Sequence, residues 1–231
     1  MQRSFIESGS RIIPILYEDN YYVVFDKPAG LLVIPTPQKE KNTLVDIVNS
    51  WYSAKEKGAY LHPCHRIDRD TSGIILFAKG KHHQQLMMDE FKKRHVKKKY
   101  IAFLNGRLLR RQAEIRSAVK DFDQQRYSQN LPPKLAITRY HVVEIRKAFT
   151  IAEVYPVTGR TNQIRIQFSQ IGYPLLGDRK YAIGKDFLVK FRRVALHAQE
   201  LQWRHPILNK TVKVIAPLPK DMEEFLVRNQ D

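Results

Sequence analysis

Short apolar runs of β-branched and aromatic residues recur along the chain, and each is bounded by Gly, Pro, Asn, Asp or a charged residue. Runs of roughly four to eight such residues predict buried strands. The predicted strands cover residues 21–25, 31–34, 74–78, 100–104, 136–143 and 150–155.

Other segments carry apolar residues at spacings of three and four, which is typical of amphipathic helices. Polar N-cap residues, proline in a first turn and a glycine stop mark their ends. Helices are predicted after Asn42 or Thr43, from Lys81 to about Lys93, from Thr161 to Ile171, and after Pro219.

Many strands with a few helices between them predict an α+β fold, built on a mixed, mostly antiparallel β-sheet core with flanking helices. A chain of 231 residues is long enough for one large domain with a core of its own. We expect residues 1–13 to be a loosely held leader and residues 14–231 to form a single catalytic domain.

The charge balance narrows the choice of partner. Forty Lys and Arg against 23 Asp and Glu give a net charge of +17, which favours a polyanion, most commonly nucleic acid. A basic protein without such a partner is the alternative. The weakly patterned segment 107–133 and the basic tracts near 92–94 and 97–99 are the candidate contacts with an RNA backbone.

Cys64 is the single cysteine, so an internal disulfide is excluded. No apolar run approaches the roughly 20 residues that a membrane-spanning helix needs, and no signal peptide is evident. These observations predict a cytoplasmic location without membrane contact.

The most informative motif is the run 65–73, HRIDRDTSG, which leads directly into the predicted strand IILFA. Charges beside a buried strand are costly unless they are paired or functional. The run resembles the His-Arg-Leu-Asp-x-x-Thr-Ser-Gly signature of the RluA-type pseudouridine synthases, with Ile67 in place of leucine. The resemblance implies a cofactor-free enzyme that isomerises uridines in RNA to pseudouridine, with Asp68 as the catalytic residue.

Further motifs extend the resemblance over about residues 17–217. Lys98 and Tyr100 match the family's Lys-x-Tyr motif. Asn162 and Gln167 stand where the family usually has histidine, so we expect altered support for the site. The other matching runs are DKPAG (26–30), TGRTNQIRIQ (158–167), GYPLLGD (172–178), ALHA (195–198) and WRHP (203–206).

The implied reaction breaks the N1–C1′ bond of uridine and rejoins the base through C5. It requires an ionised carboxylate and therefore a cation near Asp68, for which Arg66, Arg69 and Arg165 are candidates. The resemblance implies Arg165, whose planar guanidinium can bind a carboxylate with two hydrogen bonds. It also implies that Tyr100 packs on the target base and moves a proton.

The remaining implied site residues contact RNA. Arg66 would hold the flipped state open, because a uridine stacked in RNA must leave the stack before a side chain can reach it. Leu196 would lie against the target nucleotide. Arg160 and Lys98 complete the expected RNA-binding set.

Three alternatives remain beside this interpretation. Asp70 on an extended backbone would share a face with Asp68 at roughly 7 Å, as in a two-carboxylate glycosidase; the charge favours RNA, and we take Asp70 as structural. A catalytically silent RNA-binding protein or RNA chaperone would keep the same fold. His62, Cys64 and His65 match no standard zinc spacing, so no metal is expected.

The sequence leaves ribosomal and transfer RNA both open as substrates. It also leaves open whether Asp68 attacks C1′ or promotes a glycal route. A monomer without a required protein partner is the expected state.

Overall fold

The computed structural model describes residues 4–9, 11–120, 132–182, 184 and 186–230. The chain divides into two compact units. Unit 1 consists of residues 1–98 and 198–219, and unit 2 consists of residues 99–197 and 220–231.

The described residues form eleven strands and four helices. The strands are β1 Phe5–Ser8, β2 Arg11–Glu18, β3 Tyr22–Lys27, β4 Leu61–Pro63, β5 Ser72–Lys79, β6 Lys97–Asn105, β7 Gln112–Val119, β8 Lys134–Ile145, β9 Phe149–Pro156, β10 Leu196–Arg204 and β11 Thr211–Ile215. The helices are α1 Leu44–Lys55, α2 Lys81–Lys92, α3 Gln163–Gln170 and α4 Lys220–Arg228.

In unit 1 the strands follow the order β1-β2-β3-β5-β10, with β4 beside β5 and β11 beside β10. The pairs β1–β2, β2–β3, β3–β5, β4–β5 and β10–β11 are antiparallel. Strand β5 is buried from Ser72 to Ala78, as its continuous apolar sequence predicts. The core of this unit joins Met87 of α2 to side chains of the sheet, among them Trp203 of β10.

Helix α1 begins after Thr43, as predicted. The Thr43 backbone N–H donates to Asp46 Oδ2 over 2.9 Å, which is one half of a capping box. The buried residues of α1 follow the predicted spacing and include Leu44, Ile47 and Val48.

In unit 2 the antiparallel strands follow the order β6-β9-β8-β7. Helix α3 lies against β7, β8 and β9, and its Phe168 ring lies 5.5 Å from the Tyr140 ring. Phe225 of α4 packs on Phe103 and Phe149. The predicted α+β class with a mostly antiparallel sheet is therefore confirmed.

The predicted strand over 31–34 is wrong. The Leu32 and Val33 carbonyls accept hydrogen bonds of 2.8 and 3.0 Å from the Leu44 and Val45 N–H groups. The first turn of a helix has no internal partner for its N–H groups. The apolar run supplies those partners and forms no strand ladder.

The weakly patterned segment 107–133 contains a strand over 112–119 that the sequence pattern did not predict. That stretch is strand β7, paired with β8, and Ile115 on it is buried. Residues 121–131 of the predicted region lie outside the described part of the chain.

The segment expected to be a leader contains β1 and the first residues of β2. Ile6 and Ile13 are buried and lie opposite each other in the ladder. The domain boundary at residue 13 stays a prediction.

Candidate active site

Asp68 lies in a turn that leads into β5. The Thr71 N–H donates to the Asp68 carbonyl over 3.2 Å, a bond from i+3 back to i that is typical of a β-turn. Asp68 is half-buried, whereas Arg66 and Asp70 are exposed. The extended backbone assumed for Asp68 and Asp70 is therefore wrong, since Asp70 lies within the turn.

Lys27 fixes this turn from β3. Its side chain is fully buried, and Nζ donates to the carbonyls of Pro28, Leu31 and Arg69 over 2.9, 2.7 and 3.0 Å. The Arg69 carbonyl also accepts the Gly30 N–H over 2.9 Å. Because a buried ammonium must be fully hydrogen-bonded, Lys27 ties the turn after β3 to the residue next to Asp68.

No sequence motif assigned a functional role to Lys27. The only signal for it was the DKPAG run, in which a lysine ends a buried strand just before a turn.

Gly73, the last residue of the signature, lets two strands approach closely. Its φ is +113°, and a Cβ there would lie 2.2 Å from the Ala198 carbonyl oxygen of β10. No other residue fits this position without moving backbone. The glycine, which follows Asp68 by five residues, thereby fixes the start of β5.

The positive charge of Lys98 acts on the side chain of His65 in unit 1. The Leu76 N–H donates to His65 Nε2 over 3.0 Å, so that nitrogen carries no proton. Burial, together with the positive charge of Lys98, lowers the pKa of His65 to about 3. Burial lowers the pKa of Lys98 to about 8, so this lysine can release its proton in the physiological range.

Arg165 is held by two other residues of unit 2. Its Nε and Nη2 donate to the Asp178 carboxylate over 2.7 and 2.9 Å, and its Nη1 donates to Asn162 Oδ1 over 3.0 Å. The guanidinium lies 5.0 Å from the centre of the Tyr181 ring. These contacts orient a permanently charged group on the first turn of α3.

Asp178 is anchored in turn by its own loop. Its Oδ1 accepts the backbone N–H groups of Lys180 and Tyr181 over 3.0 and 3.1 Å. Gly177, at a φ of +72°, passes so close to the Arg193 carbonyl that a Cβ would lie 1.9 Å from its oxygen. Gly177 and Asp178, which end the GYPLLGD run, therefore form the loop that holds Arg165 in place.

Gln163 fastens the loop before α3 to strand β8. Its Oε1 accepts the Thr158 hydroxyl and the Arg160 N–H over 2.6 and 3.0 Å. Its Nε2 donates to the Ile137 carbonyl and the Thr138 hydroxyl over 3.0 and 2.8 Å. All hydrogen-bonding groups of this buried amide are thus used.

Tyr100 and Leu196 both contribute to the apolar core of unit 2. Tyr100 pairs with Val154 in the β6–β9 ladder and packs on the cluster that contains Leu196 and Ile164. Arg160 is exposed, and its Nε lies 3.3 Å from the Leu135 carbonyl.

Gln167 supports the sheet rather than Arg165. It is fully buried, and Nε2 donates to the Ala136 and Ile115 carbonyls over 3.0 and 3.2 Å. The two positions therefore have different contacts, since Asn162 binds Arg165 and Gln167 joins α3 to β7 and β8. Altered support for the site stays a prediction.

The predicted site residues divide between the units. Unit 1 contains Arg66, Asp68 and Lys98, and unit 2 contains Tyr100, Arg160, Arg165 and Leu196. The ionic pair of Asp68 with Arg165 stays a prediction from the sequence motifs.

Two of the residues considered as zinc ligands, Cys64 and His65, make other contacts. Cys64 is buried in the core of unit 1, and burial raises the pKa of its thiol. His65 Nε2 already accepts a backbone N–H. Among the described residues, no three His, Cys, Asp or Glu side chains lie close enough together to hold a metal. No helix in the described part of the chain is long and apolar enough to cross a membrane.

Comparison with known proteins identifies the family. The family model described as RNA pseudouridylate synthase matches residues 21–170. The chain is 34% identical over 219 residues to the uncharacterized RNA pseudouridine synthase YlyB of Bacillus subtilis, covering 93% of this chain and 72% of that protein. It is 32% identical over 209 residues to the dual-specificity RNA pseudouridine synthase RluA of Pasteurella multocida, covering 89% of this chain and 93% of that protein.

Two solved human structures are also similar. RNA Pseudouridylate Synthase Domain Containing 4 matches with a TM-score of 0.77 at 24% identity, covering 93% of this chain and 92% of that one. RNA Pseudouridylate Synthase Domain Containing 1 matches with a TM-score of 0.70 at 26% identity, covering 92% and 86%. These structures share the fold, and the family model with the sequence relatives shows that this chain belongs to the RluA-type RNA pseudouridine synthases and is an RNA pseudouridine synthase.

Proposed function

We propose that the protein isomerises specific uridines of structured RNA by an aspartate-dependent mechanism with base flipping, and that Asp68 is the catalytic carboxylate. The observation that carries this proposal is the construction of the Asp68 turn. Buried Lys27 and the Gly30 N–H both bind the carbonyl of the residue after Asp68. Such support gives a carboxylate a defined position, and defined position is a large part of catalysis.

Arg165 is the proposed ionic partner of Asp68. Asp178 and Asn162 accept hydrogen bonds from its Nε, Nη2 and Nη1, and we assign a further contact of the guanidinium to the Asp68 carboxylate. A fixed cation favours the ionised carboxylate after water is excluded by the bound nucleotide. The ionised oxygen then attacks C1′ or stabilises the sugar as the N1–C1′ bond breaks.

Tyr100 and Leu196 are the proposed contacts for the base. Both pack on the same apolar cluster, so they can present a phenol and an aliphatic side chain to a flat uracil. After the base has turned and C5 has bonded to C1′, the C5 proton must leave. The Tyr100 phenol is the proposed group that moves it.

The cationic side chains are the proposed RNA contacts. Arg66 and Arg160 are exposed, so their guanidinium groups are accessible to phosphates, and Arg66 is assigned to the flipped state. Lys98 contributes a partly buried ammonium. Such contacts supply salt-dependent affinity without reading sequence.

The substrate is proposed to be ribosomal or transfer RNA. One relative is named ribosomal large subunit pseudouridine synthase D, from Xylella fastidiosa, at 32% identity, and another is a dual-specificity synthase. The isomerisation exchanges one C–N bond for one C–C bond without net oxidation, so we propose that it needs no cofactor. A cytoplasmic monomer is the proposed state of the protein.

Tritium release tests this function. Unmodified ribosomal and transfer RNA, labelled at uridine C5, is incubated with the wild-type protein and with Asp68→Asn and Asp70→Asn variants. Isomerisation expels the C5 hydrogen, so release is expected from wild type and Asp70→Asn but not from Asp68→Asn. Release by Asp68→Asn at the wild-type rate would remove Asp68 from the mechanism. Binding of both RNA pools without any release would favour a silent RNA-binding protein.

A further inference from the structure

Asn162 has an unusual backbone conformation and an unusual side-chain partner. It precedes α3 with φ 53° and ψ 17°, which is the left-handed helical region. An asparagine at this place normally caps its own helix, but here the side chain makes no cap hydrogen bond. Its Oδ1 instead accepts from Arg165 Nη1 over 3.0 Å.

This contact completes the restraint on the guanidinium. Asp178 binds the edge formed by Nε and Nη2, and Asn162 binds Nη1 from a different segment. A guanidinium gripped at one edge can still pivot about that edge. Adding an acceptor for Nη1 fixes the plane and so fixes the direction of the opposite N–H groups.

Few residue types satisfy both demands of the position. Asn, Asp and His enter the left-handed region more readily than other residues with a side chain. Of these, only asparagine is both neutral and an acceptor at every pH, whereas histidine loses its acceptor when protonated.

Several charged or aromatic side chains of the described residues lie near this contact. Arg165 and Asp178 form the buried pair, Tyr181 lies under the guanidinium, and Lys180 lies 5.1 Å from the Tyr181 ring centre. A protonated imidazole at position 162 would add a second cation beside Arg165 in this buried setting. Repulsion of this kind is strong where water is excluded.

We propose that Asn162 is a positioning residue that aims Arg165 and makes this restraint independent of pH. The proposal rests on the proposed function, in which Arg165 serves Asp68. It assigns to this protein a flatter acid limb of its pH profile than a histidine at position 162 would give.

Two substitutions test the Asn162 Oδ1 acceptor separately from the left-handed backbone conformation of this residue. Asn162→Gly keeps the left-handed conformation at no steric cost and removes Oδ1, so kcat is expected to fall about ten-fold, which corresponds to about 1.4 kcal/mol, with KM for RNA unchanged. Asn162→His is expected to stay within about three-fold of wild type at pH 8. It is expected to lose activity in acid, below the ordinary histidine pKa of about 6.5, because burial and Arg165 disfavour the protonated ring.

Asn209 offers a matched control. It has φ 54°, and its Oδ1 accepts from Arg204 Nε over 2.7 Å on an exposed surface. Asn209→Gly therefore removes the same kind of contact elsewhere and is expected to leave kcat unchanged. Equal kcat values for wild type and Asn162→Gly, or parallel pH profiles for wild type and Asn162→His, would overturn the proposal.

A second readout does not depend on activity. In ¹⁵N-edited NMR spectra of the free protein, the Arg165 guanidinium resonances, assigned with Arg165→Lys, should show slow rotation in wild type and faster rotation in Asn162→Gly. Identical rotation would overturn the proposal even if no RNA is modified. Restricted rotation with no activity on any RNA would instead reject the proposed function and leave the positioning contact standing.

Discussion

Arg165 and Asp178 are joined by two parallel hydrogen bonds of 2.7 and 2.9 Å, and the Asp178 side chain is 1% exposed. Removal of one partner from such a pair leaves a buried charge without compensation. The same contact that orients Arg165 therefore also stabilises unit 2.

We predict that Asp178→Asn lowers the free energy of unfolding by about 3 kcal/mol or more, because it leaves the buried Arg165 charge uncompensated. Activity should fall with it. Urea unfolding of wild type and variant measures the difference.

Arg193 and Asp221 supply the control for this prediction. They form the same two-bond contact, at 2.6 and 2.9 Å, but the Asp221 side chain is 48% exposed. Asp221→Asn should cost less than about 1 kcal/mol. If both variants lost the same unfolding free energy, burial would not explain the contribution of the Arg165–Asp178 pair to stability.

We predict that Gly73→Ala destabilises the protein far more than Gly58→Ala. Both glycines have positive φ, but only Gly73 has backbone within 2.2 Å of a new Cβ. Gly58 has open space there, so its cost is limited to about 1–2 kcal/mol of backbone strain. Thermal unfolding of the two variants makes the comparison, and similar shifts would show that β5 and β10 can separate at no cost.

We predict that Lys98→Met raises the free energy of unfolding at pH 7 by about 2 kcal/mol. The pKa of Lys98 is lowered to about 8 by burial, so below that pH the folded state holds a charge that the unfolded state solvates better. The penalty should fade as the pH rises from about 8 to about 10.5, where the unfolded side chain also loses its proton.

Urea unfolding of Lys98→Met at pH 7 and pH 9.5 tests this prediction, with Lys97→Met as the control. Lys97 is exposed, so its replacement should change stability by at most about 0.5 kcal/mol. If the difference in unfolding free energy between wild type and Lys98→Met does not narrow at the higher pH, the lowered pKa of Lys98 is contradicted.

We predict that buried His65 makes the free energy of unfolding fall in acid. Burial and Lys98 lower the pKa of His65 to about 3, so below about pH 6.5 only the unfolded state binds its proton. Stability should therefore fall with pH, by about 2 kcal/mol at pH 5. His65→Gln should remove this slope in urea unfolding, whereas His82→Gln, at an exposed position, should keep it.

The sequence predicted the four described helices and five of the eleven described strands, because apolar runs and helical spacing report burial directly. It was wrong for 31–34, where the backbone of an apolar run caps α1, and it missed strands such as 112–119, where a polar sequence forms an edge strand paired with β8. Both errors arise from tertiary hydrogen bonds that leave no periodic signal.

The candidate site was predicted from motifs rather than from physical patterns. The motifs selected Asp68 and Arg165, but not the support given by Lys27 and Asp178. Such support depends on carbonyls and carboxylates brought near by the fold, and residues 27 and 69 are too far apart in sequence to reveal it.

The most direct test of the central claim is nucleoside analysis of RNA treated with the protein. Unmodified ribosomal and transfer RNA is incubated with wild-type protein or with Asp68→Ala, digested to nucleosides and separated by chromatography. Pseudouridine has the mass of uridine but a different chromatographic retention time. We therefore expect a new pseudouridine peak with wild type and none with Asp68→Ala. A peak of equal size with both proteins would contradict the role of Asp68.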